Sequence, residues 1–200
     1  MKRIINVLIA TFMLTLVPAT CAYAQWKQKG HYCDGLAIVQ DSNNMCGFID
    51  KTGKVVIPCQ WKEAWSFSEG LAAVQNVNNE WGYLDTTGKL VIPCKWKNTE
   101  LFREGYAVVE DANGMKGFID TTGKLVMPCK WKNARPFSDG VAWVQNTKLF
   151  WGLIDTTGKL VVPCKWKSFG SFRDGKASVL DAKGKVYYIN KKGEILESDY

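Results

Sequence analysis

The chain has 200 residues and a formal net charge of +7, with 22% of residues charged. That length suits one well-buried domain, hiding about 70% of the surface its unfolded chain exposes. The charge is mild: it favours anionic surfaces but falls short of the dense basic stripe of a nucleic-acid binder, and no nucleic-acid partner is expected.

Residues 1–24 read as an export signal. Lys2 and Arg3 start it, Ile4 to Val17 form a mostly apolar run, and Ala22-Tyr23-Ala24 supplies the small-x-small pattern cut by a signal peptidase. The run is too short for a comfortable membrane span and nothing later replaces it, so no integral span is expected. Lipidation at Cys21 is disfavoured, because Pro18-Ala19-Thr20 precedes it where acylation wants a leucine-like residue and then a small one. The expectation is cleavage after Ala24 and a periplasmic or secreted protein, residues 25–200. Losing Lys2 and Arg3 lowers the charge from +7 to about +5.

Beyond the signal, one period dominates. Trp-Lys recurs at Trp26, Trp61, Trp96, Trp131 and Trp166, 35 residues apart, defining units 26–60, 61–95, 96–130, 131–165 and 166–200. Within the second unit, Trp61 to Phe67 offers a short strand before a turn at Glu69-Gly70. Leu71 to Gln75 alternates as a strand, with Ala72 and Val74 on one side. A variable stretch, Asn76 to Glu80, leads to a second strand, Trp81-Gly82-Tyr83-Leu84-Asp85. Asp85-Thr86-Thr87-Gly88 has the Asp and Gly that a type I turn closing on a left-handed glycine requires. Leu90-Val91-Ile92 makes another strand, its branched side chains suiting burial on both faces. Pro93, with no N–H to donate, is expected to end regular pairing.

The unit resembles the WG repeat, a bacterial β-repeat family. The dipeptide stands at Trp81-Gly82 and Trp151-Gly152, while Cys46-Gly47, Lys116-Gly117 and Val186-Tyr187 depart from it. The resemblance covers residues 26–200 and implies a repeat scaffold of envelope or secreted proteins; it implies no catalytic residues.

The fold expected is all-β: five tandem 35-residue antiparallel units, either a propeller-like ring of five small blades or an open repeat stack. The final unit argues against closure, since Ser198-Asp199 replaces proline and cysteine and Glu194 replaces a lysine. Each recurring Trp or Phe buries about 150–250 Å², worth about 4–6 kcal/mol before chain entropy is subtracted. One unit alone cannot offset the cost of ordering its backbone, so stacking is obligatory.

Candidate chemistry is sparse. Cys59, Cys94, Cys129 and Cys164 lie one period apart. Equivalent positions in neighbouring sheets are about 10 Å apart, too far for disulfides, so these read as small buried side chains. No C-x-x-C exists, and no metal or cofactor is expected. In the first unit a Cys46–Cys59 disulfide is one option: across Thr52-Gly53, Cys46 would face Cys59 for a two-residue loop or Pro58 for a bulged one. Asp50-Lys51-Thr52-Gly53 spells a phosphorylation signature by coincidence, because the same slot reads as a turn elsewhere. His31, the only histidine, has no catalytic support. Glu69 and Asp85 could mimic a glycosidase pair, but each has a turn to explain it, so no enzyme is expected.

Two surfaces remain. Lys95 and Lys97, Lys130 and Lys132, Lys165 and Lys167 project from one side of an extended chain, forming a basic ridge with Lys54, Lys89, Lys124 and Lys159 beside it. The plain reading is a solvated edge; the functional one is binding of anionic envelope polysaccharide or lipid headgroups. The variable loops share one face if units align, offering Met115, Leu149 and Phe150 as contacts. The leading expectation is therefore a non-enzymatic scaffold for protein–protein recognition, with anionic-glycan binding as the alternative.

Overall fold

Hairpin turns organise the chain. The computed structural model describes residues 26–198, and residues 1–24, where the sequence suggests an export signal, lie outside the described residues. The first sheet comprises β1 (Gln28–Cys33), β2 (Leu36–Gln40), β3 (Cys46–Ile49) and β4 (Val55–Trp61). The second comprises β5 (Glu63–Ala64), β6 (Leu71–Gln75), β7 (Trp81–Asp85) and β8 (Leu90–Trp96). The third follows with β9 (Asn98–Thr99), β10 (Tyr106–Glu110), β11 (Lys116–Asp120) and β12 (Leu125–Trp131). β13 (Asn133–Ala134), β14 (Val141–Gln145), β15 (Trp151–Asp155) and β16 (Leu160–Trp166) make the fourth. β17 (Ser168–Phe169), β18 (Ala177–Leu180), β19 (Val186–Ile189) and β20 (Ile195–Ser198) make the fifth. Each sheet is an antiparallel meander in chain order, and the described residues contain no helix.

The sheets pack face to face in sequence, so the middle ones are buried on both sides. Ala72, Val74 and Leu84 of the second sheet meet Phe48 and Ile57 of the first. On its other face Leu71, Ala73, Tyr83 and Ile92 meet Phe102, Ala107, Val109 and Ile119 of the third unit. Among the described residues, none of the core clusters unites the first and fifth sheets. The result is a propeller-like array of five sheets.

The Asp-x-x-Gly turns form as anticipated. The Asp85 carboxylate accepts from the Thr87 N–H, the Thr87 hydroxyl and the Lys89 N–H at 2.9, 2.6 and 3.1 Å. Gly88 has φ +89° and lies against the preceding sheet: a Cβ there would sit 3.1 Å from Ile57 Cγ1. The turn therefore closes a hairpin and touches its neighbour at once.

These bonds hold the carboxyls of Asp50, Asp85, Asp120 and Asp155 below the usual value, the threonine hydroxyl being the largest cause. Folded values below the unfolded one, about 3.9, give stability that is fully present above that pH. It is lost as pH falls through the lowered values. Glu100 works oppositely, since burial pushes its carboxyl up. Urea midpoints are thus expected to fall below about pH 4. A variant with all four aspartates changed to Asn should flatten that limb, because Asn190 makes the same two backbone bonds uncharged. An unchanged acid limb would assign the fall to other groups.

The last strand of each unit corrects two expectations. β8 does not stop at Pro93 but continues to Trp96, which pairs with Trp81. Pro93 instead sits in a bulge between the Tyr83–Ile92 and Trp81–Trp96 pairs, a place that tolerates a missing N–H. The strand is also an edge rather than a strand buried on both faces: Leu90 is exposed, Val91 half-buried, and only Ile92 is fully buried.

Candidate functional site

The Gly of the Trp-Gly dipeptide is where that bulge presses hardest. A Cβ on Gly82 would lie 2.4 Å from the Ile92 carbonyl oxygen, 2.7 Å from the Cys94 nitrogen and 2.9 Å from Cys94 Sγ. Gly47, Gly117 and Gly152 are equally crowded by Cys59, Cys129 and Cys164. Cys94 Sγ lies over the glycine, 4.0 Å from the Val74 carbonyl. Glycine, proline and cysteine thus form one packing device. The fifth unit loses all three together: Tyr187 and Ser198 pair one to one without this bulge, and the cysteine slot holds Asp199.

The described cysteines are free thiols. Burial pushes Cys46, Cys59, Cys94, Cys129 and Cys164 above the ordinary thiol value. The bulge also alters the register assumed for the first unit, because it inserts residues that a hairpin count omits. Cys46 stands opposite Trp61, not Cys59 or Pro58, and Cys59 packs on Gly47. His31 is exposed.

The acid before each Gly-containing turn does more than open it. Glu69 accepts from the N–H groups of Glu104 and Gly105 in the next unit, at 2.7 and 2.9 Å. Glu104 repeats this with Asp139 and Gly140 at 2.6 and 2.9 Å, and Asp34 reaches Gly70 at 3.0 Å. These carboxylates staple consecutive units. The chain breaks at Asp139, whose carboxylate instead pairs with Lys191 at 3.3 Å. The 35-residue spacing signalled the acids, but spacing alone does not say which unit a side chain addresses.

The ridge lysines are exposed along the outer strands, and several already have partners. Lys95, Lys130 and Lys165 fold over the rings of Trp96, Trp131 and Trp166, 4.9, 5.0 and 4.7 Å from the centroids. Lys97 pairs with Glu110 at 3.2 Å. Lys27 and Lys62 bond Asn44 and Asn79 in their own hairpin loops. Lys132 and Lys167 are exposed at the following strand ends.

The variable loops are identical in backbone. Asn76 Oδ1 accepts from Asn78 and Glu80 N–H, as Asp111 does from Asn113 and Met115 and Asn146 from Lys148 and Phe150. The fourth loop residue is left-handed throughout: Asn44, Asn79, Gly114, Leu149 and Gly184 have φ of 63, 65, 75, 66 and 87°. Of the three predicted contacts, Leu149 is exposed, whereas Met115 and Phe150 are half-buried. Val77, which the sequence reading did not single out, is the most exposed large apolar residue described, at 72%.

The family model for the WG containing repeat matches four times, over residues 47–80, 81–114, 117–149 and 151–185. The chain belongs to the WG repeat family. Each matched WG repeat begins at or beside the Trp-Gly position and runs into the following unit, so it straddles two sheets. No curated protein sequence matches the chain. Among solved structures, the computationally designed Ika8 protein is similar at a TM-score of 0.51 and 11% identity, over 86% of this chain and 61% of that one. Hsv2 of Kluyvelomyces marxianus is similar at 0.50 and 11%, over 78% and 60%. The WD40 β-propeller domain of Doa1 matches at 0.41 and 12%, over 84% and 66%. The WG repeat array therefore spans about three-fifths of the first of these chains. Such likeness concerns the fold alone.

Proposed function

We propose that this protein is an exported, non-enzymatic repeat scaffold whose loop edge recognises another protein at the cell envelope. Leu149 carries the reading. It occupies a left-handed turn position filled elsewhere by Asn or Gly, and it is 58% exposed. A leucine there costs about 1–2 kcal/mol, and more than half of its surface stays in solvent. Such strain is supported where an external contact makes use of the side chain. Val77 at 72% exposure extends the same edge.

Leu149→Asn should therefore raise stability by about 1 kcal/mol, moving the melting midpoint up about 2–4 °C, while weakening capture of the partner. Thermal melts and a pull-down from envelope extract, eluted stepwise with salt, read both effects. A protein retained at high salt by the parent and lost by Leu149→Asn supports the reading; equal retention overturns it. Glycan or lipid released at moderate salt, and lost when Lys95, Lys130 and Lys165 become Gln, would favour the lysine ridge instead.

A further inference from the structure

The junction between the fourth and fifth sheets differs from those before it. At the second–third junction the Ser68 hydroxyl donates to the Phe102 carbonyl at 2.9 Å, beside the Glu69 staple. At the fourth–fifth junction Asp139, one methylene shorter than Glu69 or Glu104, is taken by Lys191. Ser138, equivalent to Ser68, makes no side-chain hydrogen bond among the described residues. Trp65, which packs edge-on against Trp81 at 5.6 Å, is replaced one period pair later by Arg135. A cleft of about 620 Å³ stands there.

Its wall is aromatic. Trp143 replaces the small Ala73 of the second sheet and stacks on Phe169 at 4.3 Å and 16°, with Phe172 near-parallel at 6.0 Å. Trp151 meets Phe169 edge-on at 4.7 Å; Trp143 and Trp151 are buried behind the wall, and half-buried Phe169 and Phe172 form its accessible part. The rim carries Arg135 and the hydroxyls of Ser138, Ser168 and Ser171. Arg135 has no ion pair within 4.0 Å among the described residues, although its charge, with those of Lys116 and Arg103, acts on the Glu100 carboxyl of the third unit. The volume lies within the ordinary range for small-ligand sites, about 300–1,000 Å³.

We propose that this cleft binds one acidic sugar residue, a pyranose bearing a carboxylate. The planar guanidinium of Arg135 offers a forked donor to the carboxylate. The half-buried rings of Phe169 and Phe172 accept the apolar C–H face of the sugar, and the serine hydroxyls can donate to or accept from ring hydroxyls. Inorganic phosphate would leave the aromatic wall unused, and a neutral sugar would leave Arg135 unpaired. The site uses residues 135–143, 151 and 168–172 rather than the hairpin loops, so it stands or falls independently of protein recognition at Leu149.

The test is titration of the purified protein, followed by tryptophan fluorescence, with galacturonic acid, trigalacturonate and galactose at one ionic strength. Saturable binding of the acid, about tenfold or more tighter than galactose, is expected. Arg135→Gln should remove that preference without moving the melting midpoint, since Arg135 is exposed. Phe172→Ala should weaken acid and neutral sugar alike. Tighter binding of the trimer would place the natural source on a polymer, and equal affinity a free acid; both support the site. Equal affinity for acid and galactose, an Arg135→Gln protein that keeps the preference, or no saturable change up to about 10 mM acid overturns it.

Discussion

Gly82→Ala is expected to cost about 3 kcal/mol or more and to lower the melting midpoint by about 6–12 °C. The added methyl would meet backbone, not a flexible side-chain end: the Ile92 carbonyl at 2.4 Å and the Cys94 nitrogen at 2.7 Å. Relief requires moving β8 away from β7, which breaks the bulge and pulls Trp96 from its partner Trp81. Gly70→Ala is the control. Gly70 has φ +77° and nothing within 4 Å of its would-be Cβ, so only the conformational cost remains, about 1 kcal/mol. Circular dichroism melts of the two variants decide the matter; if Gly82→Ala is no worse than Gly70→Ala, the crowding argument is wrong. The fifth unit already points the same way, because Tyr187 stands in the glycine slot only where the bulge is missing. The Trp-Gly signature is thus tied to what the outer strand does opposite it.

Much of this was legible from residues alone. The 35-residue period, the Asp-x-x-Gly hairpins and the paired strands of each unit follow from local chemistry, since Asp and Gly set those turns without help from distant residues. What failed was pairing across the bulge. Pro93 reads as a stop because its missing N–H is visible in sequence, whereas the carbonyl of Ile92 closing over Gly82 is not. The same inserted residues put Cys46 opposite Trp61. The branched run Leu90-Val91-Ile92 resembles a strand buried on both faces, yet its place at the sheet edge is decided by tertiary order. Lys95 lies on the outer strand β8 and curls back over Trp96, a choice made by side-chain torsions rather than by alternation. At the junction that holds the cleft, Asp139 meets Lys191 from 52 positions away, which no period reveals.

Phe102→Ala should be the most damaging side-chain truncation between units, at about 3–5 kcal/mol. Phe102 is fully buried and meets Tyr83 of the second sheet edge-on, with centroids 4.8 Å apart. Total stabilities run only about 5–15 kcal/mol, so this loss is a large fraction. Its position matters as much as its size. In an array where each sheet touches only its neighbours, an internal interface carries the coupling between everything before it and everything after it. Weakening the second–third junction should let the two parts unfold separately, so the urea transition should broaden and its apparent m-value fall. Phe172, the equivalent residue of the fifth unit, is half-buried beside the cleft, with the Lys191 ammonium 6.0 Å from its ring centroid. Phe172→Ala should cost less than half as much and leave the m-value nearly unchanged, because only a terminal sheet is loosened. Urea unfolding followed by both fluorescence and circular dichroism tests the contrast. A sharp transition of undiminished m-value in Phe102→Ala, with both signals coincident, would mean that coupling between the sheets passes through the staples of Asp34, Glu69 and Glu104 rather than through the aromatic that precedes each turn.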